Sequence, residues 1–220
     1  MKSVQHLQSI AKRDNWATPK TIFDEICLIT NTETLKSNKK LINKYFDNVI
    51  ISDSFQPDNI RLFKDTTHIT EYASFKNMGR SEVYELSPYD ETLVIDADYF
   101  IMNNVLDQVW DSENDVMINC KYRDVSERHK ENIEYLDNFS IPMYWATVFY
   151  FKKSDLASEL FAMIEIIFQH WQRMFFKYMP KGKPDWLSGD VAFALAMQLL
   201  GIESECTMEN IDAVPTFTHM

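Results

Sequence analysis

The stretch ETLVIDADYFIMNN, residues 91–104, carries the reading of the fold: an apolar run enters Asp96-Ala97-Asp98, turns apolar again and stops at two asparagines. Thr92 to Ala97 has the continuous aliphatic character of a buried strand. Side chains alternate along an extended chain, so Asp96 and Asp98 share one side and Ala97 points to the other. Two neighbouring carboxylates in a poorly solvated place repel one another unless something positive lies between them. Their hard oxygens suit Mg²⁺ or Mn²⁺, and such an ion bridging a diphosphate stabilises the charge on a departing nucleotide. Taken alone, Asp-x-Asp after an apolar run also describes a solvated strand end.

Working outward, Glu25 to Thr30 and Asn48 to Ser52 read as two further strands. Between them Leu35, Leu41, Ile42, Tyr45 and Phe46 line one helical face behind Asn31-Thr32. Residues 53 to 70 read as a polar loop. Phe75, Met78, Val83 and Leu86 return to helical spacing and stop at Ser87-Pro88-Tyr89-Asp90. Short apolar strands alternating with helices predict an α/β domain with a mostly parallel central sheet flanked by helices, its ligand site at the carboxyl ends of the strands. Val4, Leu7, Ile10 and Ala11 predict a short helix over 3–13 ahead of the first strand. Beyond the site, Asp115 to Cys120 and Tyr144 to Lys152 read as strands separated by a charged loop, Lys121 to Asn138. Ser154 caps a long helix whose apolar face runs from Leu156 to Tyr178. Pro180, Gly182 and Pro184 punctuate a basic loop, and a last helix over Gly189 to Leu200 ends at Gly201.

Composition restricts the function classes. At 220 residues with 45% hydrophobic and 25% charged content, the chain describes one soluble globular domain. A formal charge of -11 disfavours nucleic acid as a partner, since that binding neutralises phosphates with Lys and Arg. With four glycines, none close together, there is no P-loop and no G-x-G-x-x-G, so a phosphate would need a cation rather than a glycine-rich cradle. Three scattered cysteines, no signal-type N-terminus and no apolar run of bilayer length lead to the expectation of a cytoplasmic protein without a membrane span.

The segment from Arg80 through Tyr84-Glu85-Leu86-Ser87-Pro88-Tyr89-Asp90-Glu91-Thr92-Leu93-Val94-Ile95 to Asp96-Ala97-Asp98 resembles the approach to the Asp-x-Asp motif in glycosyltransferases of the GT-A fold, in particular the glycogenin and galactosyltransferase-like group. Trp145 to Ser154 is similar to a later strand of that group, and Gly189-Asp190 to a helix start where many members carry an acidic residue near the acceptor. The chain departs from the pattern at Trp145 and Thr147, where the group has Asn and Gly. The usual first strand is not seen ahead of the opening helix, so the resemblance implies one domain over 1–220 that begins inside the helix after that strand.

The resemblance implies a metal-dependent transferase that moves a sugar from a nucleotide-diphosphate sugar to an acceptor, which the sequence leaves open among glycan, protein, small molecule and, less favoured by the net charge, a modified base in nucleic acid. Arg80, Asp96, Ala97 and Asp98 would contact the donor, Asp96, Asp98 and His219 would hold Mn²⁺ or Mg²⁺, and Asp190 would orient the acceptor or act as base. Lys181 and Lys183 could close over the diphosphate. Each has a plainer reading: a helix surface charge for Arg80, helix-dipole stabilisation for Asp190, a chain tail for His219. Three rivals share parts of the pattern. A transferase-like domain without turnover would bind a nucleotide or partner only. Haloacid dehalogenase-like phosphatases also end a strand in Asp-x-Asp, but near the N-terminus, whereas Asp96 lies far along this chain. Sugar nucleotidyltransferases carry a glycine-rich basic loop that is not visible here.

Overall fold

A computed structural model of the chain describes residues 25–53, 60–64, 70–74, 78–96, 106, 109–120, 122–123, 129–130, 135–136, 141–179 and 188–202. The expected helix over 3–13 lies outside the described residues.

The N-terminal unit is a strand, helix and strand: β1 (Cys27–Thr30), α1 (Thr32–Tyr45) and β2 (Asn48–Ile51). Asn31 starts α1 by accepting the Thr34 N–H at 2.7 Å, which satisfies one of the donors left free at a helix start. β1 and β2 pair in parallel, Cys27 opposite Asn48 through Thr30 opposite Ile51. Past their carboxyl ends, Asp53 accepts from the Thr32 N–H at 2.8 Å and from the Thr32 hydroxyl, and these bonds hold its carboxyl below the ordinary range.

Two short antiparallel strands follow, β3 (Ile60–Lys64) and β4 (Thr70–Ser74). The polar loop expected over 53–70 therefore contains a strand, and a second begins at its last residue. The interspersed charges of IRLFK and TEYAS hide a backbone that is nonetheless extended and paired. Of the helix expected from Phe75 to Leu86, the described residues form a 3₁₀ turn (Met78–Glu82) and a single α-turn, α2 (Val83–Leu86).

The central sheet is built from β5 (Glu91–Ile95), β6 (Val116–Asn119) and an eight-residue strand, here β11 (Trp145–Lys152). Between β6 and β11 lie four two-residue strands, β7 (Tyr122–Arg123), β8 (His129–Lys130), β9 (Tyr135–Leu136) and β10 (Ile141–Pro142), paired as β7 with β8 and β9 with β10, so the charged segment is not wholly loop. β11 occupies the centre and pairs antiparallel with β5 on one side and β6 on the other. This corrects the expectation of a mostly parallel sheet: among the described pairings only β1 with β2 is parallel. The physical reason is that a continuous apolar run reports burial on both faces and not direction. One face of β11 packs Phe149 and Phe151 against the helices, and the other packs Val148 and Tyr150 against Leu106 and Val109. The described residues mix helix and strand, which is compatible with an α/β chain.

Ser154 caps α3 (Asp155–Gln169), accepting the Ala157 N–H at 3.2 Å. The single long helix expected to Tyr178 is broken at His170 and resumes as α4 (Trp171–Tyr178). The inward residues Leu160, Ile164, Ile167, Trp171 and Phe175 keep helical spacing through the break, so periodicity does not register it. α5 (Gly189–Leu200) ends where Gly201 turns left-handed at φ 70, a conformation a side chain resists. Phe149, Phe161 and Phe193 close the main core, with ring centroids 5.0 Å apart for Phe149 and Phe193 and 5.9 Å for Phe161 and Phe193. No helix among the described residues is long and apolar enough to cross a membrane.

Candidate functional site

The carboxyl end of β5 meets the start of α5 across the first residues of β11. Val148 stands opposite Ile95, and continuing that register by one residue places Thr147 opposite Asp96, whose N–H donates to the Thr147 carbonyl at 2.9 Å. Leu93 and Ile95 pack on the smaller apolar cluster and Val94 on the main one, so alternation turns Asp96 to the side of α3 and α5. The 3₁₀ turn carrying Arg80 touches both of those helices.

A bulge in β11 makes the second link. Along β6, Asn119 and Ile118 are adjacent, but their partners on β11 are Trp145 and Phe149. The intervening residues leave the β6 ladder, and the freed Ala146 N–H donates instead to Asp190 Oδ1 at 2.8 Å. Ser188 caps α5, and Asp190 sits in its first turn, where the helix dipole favours a negative charge. Asp190 thus has the structural role of fastening α5 to β11 in addition to any chemical one.

Arg80 joins the two carboxylates. Its Nε donates to Asp96 Oδ1 at 3.2 Å and its Nη2 to Asp96 Oδ2, while Nη1 stands 3.9 Å from Asp190 Oδ1. The three side chains are 16%, 23% and 18% exposed, enough for a ligand to reach them and little enough for their charges to be poorly screened. Among the described residues, one guanidinium faces two carboxylates. A forked arginine–carboxylate pair is among the stronger hydrogen-bonded arrangements in proteins.

The structure therefore brings together three residues singled out in the sequence, Arg80, Asp96 and Asp190, from positions far apart in the chain. It turns Arg80 toward Asp96 rather than to open solvent. Ala97, Asp98, Lys181, Lys183 and His219 lie outside the described residues. Among the described residues no three His, Cys, Asp or Glu side chains converge as a metal site would require.

Thr147 is a member of the site that the motifs did not single out as functional. It is 7% exposed, its backbone carbonyl accepts the Asp96 N–H, and its Oγ1 is buried without a hydrogen-bond partner among the described residues. A buried hydroxyl left unpaired is uncommon. Its neighbourhood depends on cross-strand register, which a single sequence does not display.

The Ser87-Pro88-Tyr89-Asp90 turn is an anchor. The Tyr89 hydroxyl donates to Glu25 Oε2 at 2.9 Å, and Asn48 Nδ2 donates to the same oxygen at 2.6 Å and to the Tyr89 hydroxyl oxygen at 2.9 Å. Burial pushes the Tyr89 phenol up. The turn thereby ties the parallel pair β1–β2 to the strand that ends in Asp96.

In comparison with known proteins, no family model, no curated protein and no solved structure matches the chain.

Proposed function

We propose that the chain is a metal-dependent glycosyltransferase of GT-A type, moving a sugar from a nucleotide-diphosphate sugar to an acceptor alcohol. The observation that carries the reading is the convergence of Arg80, Asp96 and Asp190 where β5 ends. The resemblance of residues 80–98 to the Asp-x-Asp approach of that family supplies the chemistry.

In this reaction the bond between the anomeric carbon and the diphosphate oxygen breaks, and the electron pair leaves with the nucleoside diphosphate. The acceptor oxygen bonds to the anomeric carbon and gives up its proton. Asp190, held at Oδ1 by the Ala146 N–H, is the group assigned to orient the acceptor hydroxyl or take that proton. Arg80 stands beside the carboxylates and suits the donor's phosphate or sugar oxygens, because its planar fork matches paired oxygens. Asp96 offers the hard oxygens that Mg²⁺ or Mn²⁺ prefers, and a bound cation supplies charge stabilisation to the leaving diphosphate. Asp98 and His219 complete the cation's proposed ligands.

The test is thermal unfolding of the chain with Mn²⁺, UDP and GDP, added singly and in combination. Metal and one nucleotide together are expected to raise Tm by more than the sum of their separate shifts, because a ligand that binds only the folded state stabilises it. Absence of any shift with either nucleotide overturns the reading. Release of nucleoside diphosphate from nucleotide sugars then separates turnover from binding alone. Asp98→Ala is expected to abolish the metal-dependent part of both, and unchanged behaviour in that variant removes the metal assignment.

A further inference from the structure

We propose that Glu82 is a positioning residue for the site: it fastens the 3₁₀ turn that carries Arg80 to the carboxyl end of β2, and so fixes where the Arg80 guanidinium stands. The inference rests on the reading above in that Arg80 is the group that meets the donor, and it adds the side chain that holds Arg80 ready.

Arg80 and Glu82 belong to one 3₁₀ turn, Met78–Glu82. At about three residues per turn their side chains leave the axis in different directions, and they engage different strands. Arg80 reaches Asp96 at the end of β5 and faces Asp190 in α5. Glu82 Oε2 accepts the Ser52 hydroxyl at 2.8 Å. Ser52 is itself fixed, because its N–H continues the ladder of β1 and β2 by donating to the Thr30 carbonyl at 2.9 Å. The turn therefore spans from the parallel pair to the central sheet. A short 3₁₀ turn holds itself poorly, since its own hydrogen bonds are badly aligned, and its place depends on what its side chains grip. Past Glu82 the core takes over: Val83 is buried, Tyr84 stacks on Phe161 with ring centroids 5.4 Å apart, and the Tyr84 hydroxyl donates to the Ser154 carbonyl at 3.2 Å. The bond between Ser52 and the Glu82 carboxylate, of the stronger charge-assisted kind, opposes rotation of the turn about its axis. Such rotation would swing Arg80 off Asp96, because a fork needs both carboxylate oxygens at once. A shift at the carboxyl end of β2 is thereby passed to the guanidinium.

The experiment follows proton exchange with water at the Arg80 Nε–H and at the Asp96 backbone N–H, by nitrogen-resolved NMR of the full chain without ligand, with Arg80→Lys identifying the Arg80 signal. Glu82→Ala and Ser52→Ala are each expected to speed exchange at the Arg80 Nε–H about tenfold, the effect of losing one hydrogen bond to a charged group. The Asp96 N–H, held by the Thr147 carbonyl, is expected to stay as protected as in the native chain. Glu82→Gln keeps an oxygen that accepts from Ser52 and is expected to restore the native Arg80 rate, and Ser52→Ala serves if Glu82→Ala does not fold. Native exchange at Arg80 in both alanine variants overturns the role. Faster exchange at Arg80 and Asp96 alike also overturns it, since that marks general loosening. No ligand enters the measurement, so failure of the donor reading in the nucleotide tests above is distinct from failure of this one.

Discussion

The β1–α1–β2 unit and the sheet around β11 are made from similar residues and end in different environments. β1 is only partly buried along its whole length, Ile51 at the end of β2 is 40% exposed, and α1 buries one side chain, Ile42. β11 buries six consecutive residues, Ala146 to Phe151, because clusters cover both of its faces. A short aliphatic run therefore announces a strand without announcing how many layers will cover it. The candidate site hangs from the deeply buried half: Asp96 is bonded to Thr147, Asp190 to Ala146, and α5 supplies Val191 to Met197 to the main core. Groups that must hold position during chemistry gain from such anchoring, since a rigid support keeps them in geometry.

Core truncation tests this contrast most severely. Phe149→Ala should cost about 3–5 kcal/mol, the range for emptying an aromatic site in a packed core. Ile29→Ala, at a partly buried position that only borders the main core, should cost about 1 kcal/mol, near the centre of the distribution for point mutations. Urea unfolding at neutral pH measures both, and equal costs would erase the distinction between the halves.

A smaller effect asks whether the halves unfold together. Asn31→Ala and Ser188→Ala each remove a helix cap and should cost about 1 kcal/mol. No tryptophan lies within residues 25–53, so tryptophan fluorescence reports on other parts of the chain, whereas circular dichroism at backbone wavelengths reports on all helices. Because Ile29 packs on the main core and Tyr89 bonds to Glu25, the two signals are expected to change at one urea concentration in the native chain and both variants. Separated transitions in the Asn31 variant would show the parallel unit to be an independent body.

The smallest effect is read at alkaline pH. Burial, then the hydrogen bond and charge of Glu91, raise the Tyr150 phenol above its ordinary value; its hydroxyl donates to Glu91 Oε2 at 2.5 Å. The folded form thus holds its proton more tightly than the unfolded one. That stabilisation is complete below the unfolded phenol pKa of about 10 and is lost as pH rises through the higher folded value. Tm measured from about pH 8 to 11 should fall at the alkaline end, and Tyr150→Phe should flatten that fall.

Much of the element order was legible because local chemistry specifies it. Asn31 and Ser154 cap their helices as residues of that type do, Gly201 stops α5 in the left-handed conformation, and the runs at 27–30, 48–51, 91–95, 116–119 and 145–152 are strands. The hairpin of β3 and β4 escaped notice because its charged residues mask the alternation on which strand recognition relies. The break at His170 escaped because the apolar spacing continues across it. At the site, Arg80, Asp96 and Asp190 were each legible as candidate groups. That the first binds the second, and that Ala146 reaches Asp190 through a bulge, was not.

The sequence by itself determined where α1 and α3 begin, where α5 ends and where the aliphatic strands lie, since caps, turn residues and hydrophobic runs act over a few neighbouring positions. Only the tertiary structure decided that β11 runs antiparallel to both neighbours, that three bulged residues leave the β6 ladder, and that one guanidinium stands between two carboxylates. Those outcomes depend on pairing and charge between residues distant in the chain, and no local pattern carries the register that brings them together.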